Sequence, residues 1–428
     1  MIGKIALYFV NFLSANNDLI LMNTIAFIDT EVDPTSGKIL DIGSVKNNGS
    51  YFHSASIKDF IHFLNGTKFV CGHNILKHDI KYVGEAIEKV GINSKNIIDT
   101  LFLSPLLFPT KPYHALVKDD KLQSEDINNP LNDSYKARNL LNDEINAFQQ
   151  IDDTLKQIFY LLLNDKEEFC SFFRYIAYSR ASADVEKLIH IRFKNQICEH
   201  VDLATIILDT PIELAYCLSL INSLVQYKKI HSITPPWVLK NYPNVEQLMF
   251  RLRSKPCISG CGYCNSVLDA HKGLKRFFNF DSFRSFAGEP LQEKAVKAAI
   301  DNKSLIAIFP TGGGKSLTFQ VPALISGETS RGLTIVISPL QSLMKDQVDN
   351  LEKIGITAAV TINGLLNPIE RAKSFERVRE GSASILYISP ESLRSKTIEH
   401  LILGRKISRF VLMKHTVFLL GDKILELI

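Results

Sequence analysis

The sequence predicts an α/β protein of two or three domains, and three observations lead there. Short apolar runs end in polar, chemistry-bearing residues, as in Thr24 to Thr30 followed by Glu31, and read as strands. From Phe283 onward strand-like and helix-like patterns alternate, the signature of a parallel sheet. A glycine-rich turn, Pro310-Thr311-Gly312-Gly313-Gly314-Lys315-Ser316, separates an apolar run, Leu305 to Phe309, from a helical pattern, an arrangement that aims backbone N–H groups at phosphate. The 428 residues, 46% hydrophobic and with 26 Phe, supply ample core material. A net charge of +4 tolerates nucleic acid without requiring it. No run is long enough to span a bilayer, and Met1 to Leu13 is not followed by a small-residue cleavage site before Asn16, so the expectation is a cytoplasmic protein with reduced thiols. Met22 begins a cleaner domain start, and residues 1–21 read as an over-called leader.

In the N-terminal third, strand alternation puts Asp29 and Glu31 on one face at a strand end. Phe69-Val70-Cys71-Gly72-His73-Asn74 follows, then Asp79 at the start of a helix, then His114, then Asp133 opening a helix. Paired carboxylates at a strand end either bind cations or repel each other. In this order the set resembles the DEDDh (DnaQ-like) 3′–5′ exonucleases over residues 22–148, which implies an RNase H-like fold. The first motif matches at Asp29 and Glu31. The second matches at His73, Asn74 and Asp79, with one residue more than the usual gap. The third matches at His114 and Asp133, although an insert, Lys118 to Pro130, separates them and Asp119 stands at the usual spacing. Asp133 is favoured because the helix Asp-Ser-x-x-Ala-x-x-Leu-Leu follows it, as in the family. The resemblance implies that Asp29, Glu31, Asp79 and Asp133 hold two Mg²⁺ or Mn²⁺ ions and that His114 is the general base on the attacking water.

Residues 149–248 read as a helical connector, with i, i+3, i+4 apolar spacing over Asp143 to Leu163 and Asp184 to Arg192 and a break at Ile233 to Trp237. Residues 249–272 contain Cys257, Cys261 and Cys264, three of the seven cysteines. The spacing C-x3-C-x2-C is also that of radical-SAM enzymes, but the long β/α barrel these need does not follow. A structural Zn²⁺ knuckle fits better, with His271 or a distant Cys as fourth ligand.

Residues 273–411 resemble the first lobe of RecQ-family DNA helicases, which implies an incomplete RecA-like parallel α/β lobe. Phe280, Phe283, Arg284 and Gln292 resemble that family's adenine-reading motif. Phe309-Pro310-Thr311-Gly312-Gly313-Gly314-Lys315-Ser316 resembles its P-loop. By that resemblance Lys315 reaches the ATP phosphates and Ser316 sits on Mg²⁺. Ser338, Pro339, Ser342 and Lys345, then Ser389 and Glu391, fall in motifs that hold single-stranded DNA.

The strand Ile407 to Val411 should lead into Asp-Glu-Ala-His, whose acids hold Mg²⁺ and polarise water. Residues 412–415 read Leu-Met-Lys-His instead. One encoding of the family's continuation, read one base out of frame, gives residues 412–428, so this stretch is expected to be an out-of-frame tail. The expectation is therefore an exonuclease fused to a motor lobe that binds ATP without hydrolysing it. The alternatives are a non-catalytic DNA- and ATP-binding remnant, or a full helicase restored by frameshifting. Uncovered apolar faces in residues 273–428 should lower solubility.

Overall fold

The structure, a computed structural model, describes residues 24–111, 129–226, 234–310, 312–413, 417–420 and 423–426. His114, Asp119 and Thr311 lie outside the described residues. Two compact units divide the chain. The first takes Met1–Phe108, Tyr113–Arg192 and Ile207–Tyr216, the second Pro109–Pro112, Phe193–Ile206 and Cys217–Ile428. The helical stretch expected as a connector is thus shared between the two units.

The first unit is built on β1 (Ile25–Val32), β2 (Ile39–Lys46) and β3 (Tyr51–His53), joined by α1 (Ile57–Leu64) to β4 (Phe69–Gly72) and by α2 (Ile80–Lys89) to β5 (Ile97–Asp99). The sheet order is β3-β2-β1-β4-β5. β1, β2 and β3 pair antiparallel, whereas β4 and β5 run parallel to β1. Ala26 and Ile28 enter a buried cluster with Phe60, Val70, Val83 and Ile87, which commits the alternate residues Asp29 and Glu31 to the other face.

Two helices follow, α3 (Thr100–Leu107) and α4 (Pro130–Gln150). Asn129 caps α4 by accepting from the N–H groups of Leu131 and Asn132, and Pro130 occupies the first turn. The single helix expected over 143–163 is two, because α4 stops at Gln150. Asp152 then accepts the Leu155 N–H to start α5 (Asp153–Leu163). α6 (Glu167–Tyr175) and α7 (Val185–Arg192) complete the helical layer, and Phe148 meets Phe172, Phe173 and Tyr178 edge-on. α8 (Leu203–Asp209) and α9 (Pro211–Gln226) each have residues in both units. Among the described residues no single helix is long and apolar enough to cross a membrane.

The second unit opens with α10 (Pro236–Asn241) and α11 (Asn244–Arg253). A short π-helical turn, Cys264–Leu268, precedes α12 (Ala270–Phe278), α13 (Leu291–Ile300) and α14 (Leu317–Ser330). β6 (Leu333–Ile337), α15 (Gln341–Lys353), β7 (Ala359–Ile362), α16 (Pro368–Arg379), β8 (Ile385–Ile388), α17 (Lys396–Leu403) and β9 (Ile407–Leu412) then alternate. The sheet is wholly parallel, in the order β7-β8-β6-β9. Strands β6, β7 and β8 are buried on both faces, as helices on both sides of a parallel sheet require.

The strand expected at Leu305 to Phe309 is not formed. Residues 303–310 have no regular secondary structure, and Ile306 and Ile308 are 76% and 80% exposed. An apolar run becomes a strand only when a neighbour satisfies its N–H and C=O groups, and among the described residues β9 pairs with β6 alone. Phe410 on β9 is also exposed. Beyond it, β10 (Val417–Leu420) and β11 (Lys423–Glu426) form a separate antiparallel pair.

Candidate functional site

In the first unit Asp79 is fixed where β1 outruns its parallel neighbour. Pairing of β1 with β4 ends at Phe27 and Cys71, so the Thr30 N–H beyond it has no strand partner on that side. Asp79 accepts it with Oδ1 at 2.9 Å and takes the Thr30 hydroxyl on the same oxygen at 2.7 Å. Asp79 opens α2 yet makes no cap to its own helix; its carboxylate, 1% exposed, faces β1.

Asp29 and Glu31 are half-buried on the opposite face from the core residues Ala26 and Ile28. Asp29 stands opposite Gly43 of β2, so a side chain at Gly43 would project on the Asp29 face. A Cβ there would lie 2.0 Å from the Leu131 N, so only glycine lets α4 cross at that point. Asp133 lies in the first turn of α4, two residues beyond the Leu131 that meets Gly43. Lys136 pairs with Asp133 at 3.1 Å.

Two residues missed in the sequence support this face. Asp99, fully buried at the end of β5, accepts the N–H groups of Asn74, Leu76 and Leu101 and so fixes the loop carrying His73 and Asn74. Burial pushes the Asp99 carboxyl up to about 6 against these three donors. His78 lies 3.7 Å from Asp79, and that carboxylate, with Glu31 adding a smaller pull, holds the imidazole above its usual value. His73 Nδ1 lies 2.9 Å from the Thr100 hydroxyl. The acids do not close to the spacing of a tight ligand group, as expected where like charges oppose closer approach.

In the second unit the glycine-rich turn is held from below by two of the residues expected to read adenine. Arg284 donates to the Gly312 carbonyl at 2.9 Å, and Gln292 donates to the Gly314 carbonyl at 2.8 Å while accepting the Arg284 N–H. Gln292 is 1% exposed, so those bonds are its main role in this state. Gly312 and Gly314 have φ of +77° and +69°, a conformation that disfavours side chains. A Cβ on Gly314 would also lie 2.7 Å from the Gln292 amide. Lys315 is exposed, and Ser316 starts α14. Phe280 stacks on Phe278, whereas Phe283 turns toward His271.

The residues expected to touch nucleic acid lie at the carboxyl edge of the parallel sheet, where open α/β sheets bind ligands. Ile337 and Ile388 are register partners, so Ser338 and Ser389 leave adjacent strands side by side. Pro339 follows Ser338, and Ser342 and Lys345 are exposed on α15. Ser389 shares a hydrogen bond with Ser392, and contact with Ser389 lowers the exposed Glu391 carboxyl. Gln320 of α14, also missed in the sequence, joins this edge from below through Gln347 and Tyr387.

The cysteines form a third constellation, with a correction to its fourth member. The sulfur atoms of Cys198, Cys257, Cys261 and Cys264 all lie within 4.8 Å of one another. His271 is not among them. It pairs with Glu293 at 3.0 Å and meets the Phe283 ring edge-on, because α12 turns it toward α13. Cys198 comes from the segment before α8 and carries no local spacing signal. Its one sequence cue is the need of a three-cysteine knuckle for a fourth ligand.

Comparison with known proteins bears on the second unit. Residues 289–414 match the family model described as DEAD/DEAH box helicase. The ATP-dependent DNA helicase RecQ of Bacillus subtilis is 43% identical over 123 residues, 28% of this chain and 19% of that protein. The ATP-dependent DNA helicase hus2/rqh1 of Schizosaccharomyces pombe is 40% identical over 124 residues, 28% of this chain and 9% of that protein. The ATP-dependent helicase SGS1 of Saccharomyces cerevisiae is 36% identical over 143 residues, 32% of this chain and 10% of that protein. The chain therefore spans less than a fifth of the length of these curated relatives. The second unit carries a RecA-like DEAD/DEAH-box helicase domain similar to that of RecQ helicases.

Proposed function

We propose that the chain joins a metal-dependent 3′–5′ exonuclease, in its first unit, to a RecQ-like DNA helicase domain, in its second. The observation that carries the exonuclease reading is the pair of hydrogen bonds from Thr30 to Asp79 Oδ1, which ties the Asp79 carboxylate to the end of the strand that bears Asp29 and Glu31. The sheet order β3-β2-β1-β4-β5, with antiparallel and parallel halves, agrees with an RNase H-like fold.

The donor set suits hard cations, since it is all carboxylate oxygen, half-buried at Asp29, Glu31 and Asp133 and buried at Asp79. Asp29, Glu31, Asp79 and Asp133 would hold two Mg²⁺ or Mn²⁺ ions, whose charge would ease deprotonation of water and departure of the 3′ oxygen of the penultimate nucleotide. Lys136, 3.1 Å from Asp133, orients that carboxylate. Asp99 holds the His73–Asn74 loop against the site. His114 would take the proton from the attacking water.

In the second unit Lys315, Ser316 and the amides of Gly312 and Gly314 would hold the phosphates of ATP, with Mg²⁺ on Ser316, while the Gly313 N–H donates to the Pro310 carbonyl at 3.0 Å. Gln292, Arg284 and Phe283 would link base recognition to the shape of that loop. Ser338, Pro339, Ser342, Lys345, Ser389 and Glu391 would line the path of a single DNA strand. Residues 412–415 supply no carboxylate where ATP hydrolysis needs one, which favours nucleotide binding without turnover in this chain. A one-base frame slip after Val411 accounts for those residues, and resequencing the locus tests it.

The functional test is digestion of 5′-labelled single-stranded DNA in Mg²⁺. A ladder shortening from the 3′ end, absent in EDTA and indifferent to ATP, is the expected result. Intact DNA bound in a gel shift would favour a non-catalytic binding role. ATP turnover that Lys315→Ala abolishes would overturn the reading of a non-hydrolysing lobe.

A further inference from the structure

We propose that Cys198, Cys257, Cys261 and Cys264 hold a single zinc ion, and that this ion fixes the helix carrying the phosphate cradle. The metal assignment stands on the cysteine geometry alone; the consequence for nucleotide rests on the cradle reading above.

The spacing selects the metal. Four thiolates around one tetrahedral ion, with bonds of about 2.3 Å, stand about 3.8 Å apart. In a cubane iron–sulfur cluster each thiolate caps its own iron, and the four are spread wider. Sulfur atoms that all lie within 4.8 Å of one another suit the single ion. Donors around the sulfurs fit the same assignment: the Cys264 N–H points at Cys261 Sγ at 3.4 Å, and His200 Nδ1 lies 3.3 Å from Cys257 Sγ. Cys198, Cys261 and Cys264 are buried and Cys257 is half-buried, so the set is closed, as in structural rather than catalytic zinc sites.

The backbone is shaped for this meeting. Gly260 turns with φ of +70° between the first two knuckle cysteines. A Cβ on Gly262 would lie 2.8 Å from Asn195 Oδ1, so the knuckle and the segment bearing Cys198 touch where only glycine fits. The Cys198 N–H donates to the Leu252 carbonyl at 2.8 Å, tying the same segment to the end of α11.

From the knuckle the contacts run to α14. Tyr263 donates to the Arg253 carbonyl at 2.7 Å, and Arg253 donates to the Thr329 carbonyl of α14 at 2.6 Å and to Gln196 at 3.0 Å. Cys198, Cys261 and Cys264 share one buried cluster with Val321 and Ile325 of α14, and Leu317, next to Ser316, packs against it. Gly273 of α12 lets Ile325 approach to a distance a side chain would block. The ion therefore braces both ends of the helix whose N-terminus forms the cradle.

The test uses the full chain. Elemental analysis should find one zinc per chain, and cobalt exchanged into the site should show the ligand-field bands of tetrahedral thiolate. Cys198→Ser should lose the metal and His271→Ala should keep it. Zinc kept by Cys198→Ser, iron with acid-labile sulfide, or paired disulfides in place of metal would each overturn the assignment. A zinc-selective chelator, in excess Mg²⁺, should speed amide hydrogen exchange across residues 317–330 and weaken a fluorescent ATP analogue about tenfold, with zinc restoring both. Unchanged exchange on zinc removal would overturn the bracing role. Faster exchange in a chain that binds no nucleotide even when loaded would leave the brace standing and sink the cradle reading.

Discussion

The carboxylate face of the first unit and the phosphate cradle of the second solve opposite electrostatic problems. The first collects acids. Asp29, Glu31, Asp79 and Asp133 are groups of one charge sign, and the chain holds them with groups that act on each singly: Thr30 on Asp79, Lys136 on Asp133, strand alternation on Asp29 and Glu31. The second collects donors. Apart from the Gly313 N–H, which donates to the Pro310 carbonyl, its amides suit an anion, and the loop is shaped by side chains gripping its carbonyls, Arg284 on Gly312 and Gln292 on Gly314. A site made of side-chain charge is lost when one charge goes. A site made of backbone amides weakens in steps.

That contrast sets the order of expected effects. Asp79→Asn removes a ligand charge and turns an acceptor pair toward Thr30 into a mixed amide. It should lower the rate of 3′ digestion by at least about a hundredfold, while affinity for a fluorescent ATP analogue stays unchanged. A fall in both would mean that the two sites are not separable.

Gly43→Ala sharpens the point without touching any acid. The added methyl has no space beside Leu131, so α4 must shift and carry Asp133 with it. Thermal unfolding of the first unit should show a loss of about 3 kcal/mol, and digestion should fall along with it.

In the second unit, Gln292→Ala deletes the bonds to Gly314 and Arg284 but leaves Lys315 in place. Titration with the ATP analogue should show about tenfold weaker binding. Lys315→Ala should weaken it more, by up to about a hundredfold, through loss of a charge-assisted contact.

The last expected effect is a pH slope. The folded Asp99 pKa of about 6 lies above the unfolded value of about 3.9, so the folded state binds this proton more tightly. Stability from Asp99 is fully present below pH 4 and is lost as pH rises through 6, by up to about 3 kcal/mol. Relative to wild type, Asp99→Asn should flatten denaturant-measured stability of the first unit between pH 4 and 7.

Much of this was legible in the sequence where local rules decide. Asp29 and Glu31 were readable because a strand has a two-residue period, and Gly312 to Ser316 because a phosphate turn demands glycine. Distance hid the rest. Cys198 reaches its partners from the non-helical segment between α7 and α8, and no spacing rule links them. The run at Leu305 to Phe309 looks like a strand by composition, yet a strand exists only with a partner, and Ile306 and Ile308 remain exposed. The break at Ile151 was masked by apolar periodicity running through it, although Asp152 is a readable cap. Gln292 was found by motif, but its grip on the Gly314 carbonyl depends on how α13 meets the loop.

The most direct test of the exonuclease assignment is digestion of 3′-labelled single-stranded DNA by the full chain in Mg²⁺ without ATP, set beside Asp29→Ala. The account predicts immediate release of labelled mononucleotide by the wild type and none above background by Asp29→Ala. Release that survives in Asp29→Ala, or a wild type that binds the DNA and releases nothing, would contradict it.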